Sequence, residues 1–349
     1  MRIAMISTPF VPVPPLDYGG TELVVFELVE GLVQRGHDVT LYATGDSHTR
    51  ARLRALYPRG QWPPDPLTDL NHVSFAMRDI AHGGFDLVHA HSAAALALGR
   101  LAPLPLVYTL HHVHEPTLSE YYRQFPGVEF VAISSDQAGR ESGARRCAVI
   151  HHGLDPARYC WTDRPGPYVC FVGRFAAVKG LPAAIDAAAS AGVPIRIAGQ
   201  AHPPDRDYVR LEVEPRLRAC GVTSLGPIGA REKMRLLRDA RALLAPITWN
   251  EPFGLILAEA LLSGCPVVAF GRGSVPELIE DGVTGFIAES VEEMADLIRP
   301  GGEIERLDRE EIREVAVRRF SRDRMVNQYE VLYGRVARPQ PLRTPNSAA

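Results

Sequence analysis

Glu251 and Glu259, with seven residues between them, bracket the run Glu251-Pro252-Phe253-Gly254-Leu255-Ile256-Leu257-Ala258-Glu259, which continues to Gly264-Cys265-Pro266. Pro252 suits a first helical turn, and Gly264 with Pro266 stop the helix. The backbone amides of Gly254 and Leu255 then point outward from the helix start, where the dipole favours negative charge. Glu259 falls about a turn and a half deeper, on a mostly apolar helix where an unpartnered carboxylate is costly. A vicinal diol such as a ribose would satisfy it with two donated hydrogen bonds; an arginine partner would satisfy it too.

A second constellation is Val172-Gly173-Arg174-Phe175-Ala176-Ala177-Val178-Lys179-Gly180, following a strand candidate. Two cations at a strand end suit a diphosphate leaving group, on which negative charge grows as its bond to carbon breaks. Each charge-assisted contact contributes about 1.5–3 kcal/mol. Ordinary charges at a solvated strand end would look the same. Of the 38 basic residues only Lys179 and Lys233 are lysines, so an ammonium kept at 179 stands out in a chain that otherwise uses arginine.

Tyr18-Gly19-Gly20-Thr21-Glu22 closes a loop containing Pro9, Pro12, Pro14 and Pro15 and opens a helix. Gly19 and Gly20 let backbone N–H groups approach an anion, although a tight turn before a helix needs them equally. The spacing is not GxGxxG, so a dinucleotide cofactor is not indicated. Histidines cluster at three further strand ends: His89 and His91; His111, His112 and His114; His151 and His152. Neither a carboxylate-rich ligand set nor a cysteine pair accompanies them, so no metal is expected. Hydrogen bonding to sugar hydroxyls and burial as satisfied core groups remain, the latter for most of the seven.

These groups need elements to hold them. Apolar runs at Ile3–Ile6, Val39–Tyr42, Leu87–His89, Leu106–Leu110, Phe130–Ile133 and Ala148–Ile150 alternate with helix-period segments such as Thr21–Gln34. Residues 155–167, with three prolines and a glycine, interrupt the rhythm as a linker. It restarts at Tyr168–Val172, Ile195–Ala198, Val222–Leu225, Ala242–Ala245 and Pro266–Ala269. Alternation of this kind predicts an α/β chain of two facing Rossmann-like, doubly wound parallel-sheet domains, with ligands in the cleft between them. The expected boundaries are 1–154 joined by a returning helix 322–336, then 168–321, then a disordered tail 337–349.

The 349 residues are 46% hydrophobic and 23% charged with a net charge of −3, which is globular and excludes a disordered chain. Neither half is basic enough for a nucleic-acid surface. Apolar runs such as Ala93–Leu98 are too short to span a bilayer, and the N-terminus lacks a secretory layout. Five cysteines without a CxxC pair fit a reduced cytoplasm. Thr49–Arg59, with Arg50, Arg52, Arg54 and Arg59, reads as a solvated basic insertion rather than a membrane contact.

Together these residues resemble glycosyltransferase family 4, the retaining nucleotide-sugar enzymes of the GT-B fold. The resemblance also rests on Arg35-Gly36-His37-Asp38-Val39-Thr40, Asp86–His91 and Thr109-x-His111. It extends through Pro276-Glu277-Leu278-Ile279 and Gly282-Val283-Thr284-Gly285-Phe286. It implies that the first domain binds the acceptor and the second the donor. Arg174 and Lys179 would neutralise the departing diphosphate, Glu251 would hold donor-sugar hydroxyls, and His111 would lie beside the anomeric centre. Gly19, Gly20, Gly173, Phe253, Gly254 and Leu255 would complete the donor site, with Glu259 on the ribose. Backbone around Gly199 and Pro227–Ile228 would meet the base, and Asp17 the acceptor. Neither cofactor nor metal is implied. The partners would be a nucleoside-diphosphate sugar and a small-molecule, glycan or lipid-linked acceptor. A non-catalytic nucleotide-sugar-binding protein and a GT-B phosphorylase or epimerase are the alternatives. Ser274-Val275-Pro276-Glu277 departs from relatives, which often carry another glycine there.

Overall fold

Apolar runs, each followed by a helix, build two parallel sheets in this computed structural model, which describes residues 1–16 and 19–337. The first sheet contains β1 (Arg2–Ile6), β2 (Asp38–Tyr42), β3 (Arg52–Arg54), β4 (Leu87–Ala90), β5 (Leu106–Thr109), β6 (Glu129–Ala132) and β7 (Cys147–Val149), in the order β3-β2-β1-β4-β5-β6-β7. The second contains β8 (Val169–Val172), β9 (Ile195–Ala198), β10 (Val222–Gly226), β11 (Leu243–Ala245), β12 (Val267–Phe270) and β13 (Gly285–Ala288), in the order β10-β9-β8-β11-β12-β13. Helices cover both faces, so inner strands such as β4 and β5 are buried at every residue.

In each sheet the order reverses beside the first strand, between β1 and β4 and between β8 and β11. Ligands of such sheets bind beyond the carboxyl ends of the strands at these reversals. The glycine loop follows β1 and the Gly173–Lys179 loop follows β8, so both motifs arrive at a reversal.

Two strands were not anticipated. β3 lies in the basic segment, where Arg52 and Arg54 flank Leu53 and put charge on a sheet edge. Arg50 pairs with Glu30 (2.6 Å) and Arg54 with Asp79 (3.1 Å), so part of this basic charge is met within the same lobe. β13 begins at Gly285, whose Cβ, were one present, would stand 2.0 Å from the Val267 carbonyl oxygen. A glycine required by close strand packing resembles a turn when only the sequence is read.

The chain crosses between the lobes twice, side by side. Leu154 N–H donates to Phe320 O (2.9 Å), and Arg322 N–H donates to Leu154 O (2.7 Å), forming a parallel bridge between Leu154 and Ser321. A Cβ on Gly153 would come within 2.4 Å of Ser321 O, so this approach needs glycine. Beyond it the helix Arg322–Val336 buries Met325, Val326, Tyr329, Leu332 and Tyr333 in one cluster with Ile3, Met5, Val24 and Leu28 of the first lobe. Glu27, fully buried on the helix Gly20–Gln34, faces Arg158 (3.1 Å) and Arg322 (3.3 Å). Burial nevertheless pushes its carboxyl up to about 7. No helix among the described residues is long and apolar enough to cross a membrane. Of the expected tail 337–349, Ala337 packs against the first-lobe core, and residues 338–349 lie outside the described residues.

Candidate active site

Two helix N-termini approach each other across the lobes. The helix Gly20–Gln34 starts after Gly19, and the helix Leu255–Leu262 starts after Gly254 at φ +81°. Both are preceded by a glycine, which offers no side chain to cap the first amides, while in the first lobe the Glu22 carboxylate hydrogen-bonds its own N–H within the first turn. Leu255 packs against the apolar clusters of both lobes, and a Cβ on Gly20 would stand 3.4 Å from its Cδ1. Free helix-start amides carry partial positive charge and accommodate phosphate oxygens.

Lys179 ends a single 3-10 turn, Ala177–Lys179, and Gly180 follows at φ +72°. This backbone lies against the loop after β11. Thr248 N–H donates to Val178 O (3.0 Å), and a Cβ on Gly180 would meet Pro246 O at 2.0 Å. The two loops therefore hold Lys179 in an ion pair with Oε2 of Glu251, their side chains 20% and 11% exposed. The Trp249 indole N–H donates to the same oxygen (2.9 Å). Glu251 itself is fixed from behind, because Ser274 N–H donates to its carbonyl oxygen (2.9 Å). At the departure noted in the sequence, the Ser274 hydroxyl donates to Phe253 O (2.8 Å).

Glu259, on the helix Leu255–Leu262, is 3% exposed. Its Oε1 pairs with the Lys233 ammonium (2.7 Å) and accepts from the Tyr159 hydroxyl (3.1 Å). The partner is thus a lysine, not an arginine. The only two lysines of the chain each meet one of the two glutamates. Arg174, more exposed, is held by Asp205 at 3.5 Å.

Gly173 and Gly199 sit at the carboxyl ends of adjacent β8 and β9. A Cβ on Gly199, at φ +145°, would fall 1.9 Å from Gly173 O. Ile228, just after β10, packs on the second-lobe core. The Phe253 ring is buried, edge-on to His152 (4.9 Å) and Phe320 (6.1 Å), so its side chain faces inward. Asp17 lies outside the described residues.

His111 belongs to a chain of rings in the first lobe. Its Nε2 shares a hydrogen bond with His91 Nδ1 (2.8 Å), and its ring stacks on His152 with centroids 5.4 Å apart. His89 is bonded to Tyr333 (2.7 Å) and Thr109 (2.8 Å), as a core histidine should be. Burial brings His89 and His111 down to about 3, so His111 is a neutral hydrogen-bonding group. Among the described residues no group of three or more His, Cys, Asp or Glu is placed to hold a metal ion.

Sequence reasoning passed over Trp249, Lys233, Tyr159 and the part played by Glu277. Only Lys233 carried a signal, through the scarcity of lysine. Glu277 spans the lobes: its carboxylate accepts from Ser135 N–H (2.7 Å) and Asp136 N–H (2.6 Å) and pairs with His151 Nε2 (3.1 Å). Burial works against its charge, but these hydrogen bonds outweigh it and hold the carboxyl below its usual range.

Comparison with known proteins identifies the family and the fold. Residues 18–158 match the family described as Glycosyltransferase Family 4, and residues 162–312 match Glycosyl transferases group 1. Phosphatidyl-myo-inositol mannosyltransferase of Mycobacterium tuberculosis (strain ATCC 25618 / H37Rv) is 28% identical over 320 residues, covering 82% of each chain. The crystal structure of AviGT4, a glycosyltransferase involved in avilamycin A biosynthesis, is 25% identical with a TM-score of 0.74, covering 96% of this chain and 98% of that one. HepE of Anabaena, solved with UDP and glucose, shares the fold at 23% identity and a TM-score of 0.74, covering 96% and 99%. With both halves matched and the two-sheet architecture shared, the chain belongs to the family 4 type of GT-B glycosyltransferases.

Proposed function

We propose that this glycosyltransferase moves a hexosyl group from a nucleoside-diphosphate sugar to an acceptor hydroxyl with retention of configuration. The observation that carries the proposal is Lys179 bonded to Glu251 near the reversal of the second sheet, a cation and a carboxylate side by side. The bond from the anomeric carbon to the phosphate oxygen breaks as the acceptor oxygen bonds the same face. The acceptor's proton passes to the departing phosphate. Arg174 and Lys179 meet the charge that grows there, work that a divalent ion does in other sites. Gly19, Gly20 and the amides of Gly254 and Leu255 approach the phosphates and sugar, with Gly173 and Phe253 beside them. Glu259 takes the ribose, and backbone at Gly199 and Ile228 takes the base. His111, neutral, hydrogen-bonds near the anomeric carbon, and Asp17 meets the acceptor.

Residues 1–154 with the helix 322–336 hold the acceptor, and residues 168–321 the donor, with 155–167 between them. HepE, sharing this fold, is solved with UDP and glucose, which supports a nucleotide-sugar donor. The relative that mannosylates phosphatidyl-myo-inositol supports a lipid-linked or small polyol acceptor. Five cysteines, all free, fit a reduced cytoplasm.

Thermal melts with UDP, GDP and ADP identify the nucleotide, since a ligand at 100 times its Kd stabilises the fold by about 2.7 kcal/mol. NMR of the product then reads the anomeric configuration, and an inverted product defeats the retaining assignment. Free sugar phosphate or an epimerised donor points instead to a phosphorylase or epimerase. Glu259→Gln weakens calorimetric affinity for the preferred nucleoside diphosphate at least ~10-fold, through the ribose hydrogen bonds it loses. Unaltered affinity removes the ribose assignment.

A further inference from the structure

One oxygen of Glu251, Oε2, receives both the Lys179 ammonium and the Trp249 indole N–H (2.9 Å), and the ammonium also lies 5.0 Å from the centre of the Trp249 ring. We infer that Trp249 is a positioning residue for sugar transfer, turning Glu251 so that Oε1 is offered to the donor and steadying Lys179 over its ring. The inference rests on the assignment of Glu251 to the donor sugar and Lys179 to the diphosphate.

A glutamate side chain has three torsions, and an ionised carboxylate has about four lone-pair sites spread over two oxygens. Two donors converging on one oxygen fix both the torsions and the carboxylate plane. Among the described residues both partners fall on Oε2 and none on Oε1. The backbone makes this arrangement rigid. Glu251 N–H donates to Trp249 O (2.9 Å) in a tight turn, and Thr248 N–H ties the same turn to Val178 O (3.0 Å), one residue from Lys179.

The residue type matters as much as its place. An indole N–H donates and cannot accept, so it does not compete with Glu251 for the ammonium. Tryptophan also presents the strongest aromatic face for a cation. An aliphatic side chain would do neither, and a phenyl ring only the second.

The test uses the full chain with UDP-glucose or GDP-mannose, whichever it cleaves, and calorimetry with the matching diphosphate. Trp249→Phe keeps the ring face and loses the N–H. Donor turnover falls about 10- to 100-fold, the factor carried by a hydrogen bond to a charged group, while diphosphate affinity stays within about twofold. Trp249→Leu, which also loses the ring face, weakens the diphosphate as well. In a Glu251→Ala background, Trp249→Phe costs nothing further, because the carboxylate through which it acts is gone. A Trp249→Phe protein with full turnover overturns the inference, as does the same fold-loss with and without Glu251. Turnover that survives Glu251→Ala alone overturns instead the assignment of Glu251, and the inference goes with it.

Discussion

Lys179→Ala lowers turnover at least ~100-fold while the protein still folds. The side chain is 20% exposed and ends a short turn, so its loss opens no core cavity. What disappears is a positive charge where the diphosphate departs. In a site shielded from water such a charge acts chiefly on the transition state, so kcat should fall more than diphosphate affinity. The change also leaves the Glu251 carboxylate, 11% exposed, with only the Trp249 N–H on its Oε2. A buried carboxylate deprived of its cation costs about 1–3 kcal/mol, so a modest drop in Tm accompanies the kinetic loss. Lys179→Arg recovers little, because a planar fork does not fit a pocket built around a compact ammonium and a ring face. Steady-state kinetics on a variant with a normal melting curve decides the matter. Undiminished turnover would remove Lys179 from the leaving-group site.

Acidification should have the second large effect. Burial brings His89 and His111 down to about 3 and His72 to about 4, and holds His91 and His152 well below the ordinary histidine range. Each is neutral in the fold and takes up a proton on unfolding once the pH drops below about 6.5. A histidine whose folded pKa lies below its unfolded value stabilises the fold fully above 6.5, and that stability drains away as pH falls through 6.5 toward the folded values of about 4 and about 3. Burial acts oppositely on three carboxyls, taking Glu27 up to about 7 and raising Glu22 and Asp69. Glu27 is protonated in the fold across this window and offsets some of the loss, and the upward shifts of Glu22 and Asp69 act in the same direction. Six rings, counting His151, which burial also lowers, against three carboxyls leave a net uptake on unfolding, worth about 1.4 kcal/mol per pH unit for each proton. Melting temperature should therefore drop steadily from pH 6.5 to pH 5, before ordinary carboxylates titrate. A constant Tm across that range would mean the rings are protonated inside the fold.

Much of the architecture was legible because parallel strands covered on both faces must be apolar along their whole length. β1, β4 and β5 stand out for that reason alone. β3 escaped because its outward positions are arginines, and β13 because it opens with a glycine needed for packing rather than turning. Of the candidate site's charges, Lys179 and Glu251 stood out in the sequence because they adjoin glycine and proline in loops after strands, and Glu259 because it is a carboxylate on an otherwise apolar helix. Their partners were not. Lys233 reaches Glu259 from the helix Ala230–Asp239, and Tyr159 reaches it from the segment read as a linker. Those meetings depend on how one helix and the inter-lobe segment lie against another helix, which no local pattern encodes. Glu277 is the extreme case, a carboxylate in one lobe serving as the anion at a helix start in the other.

The paired crossing at Leu154 and Ser321 has the geometry of a two-leaf door joint. A single connecting strand could twist, whereas two that are stitched together swing about one line and resist shearing. His151 and His152 adjoin that line and meet the Phe253 ring of the other lobe beside it. The glycine loop and the Leu255 helix start lie on opposite leaves, and the gap between them is set by the angle of the joint.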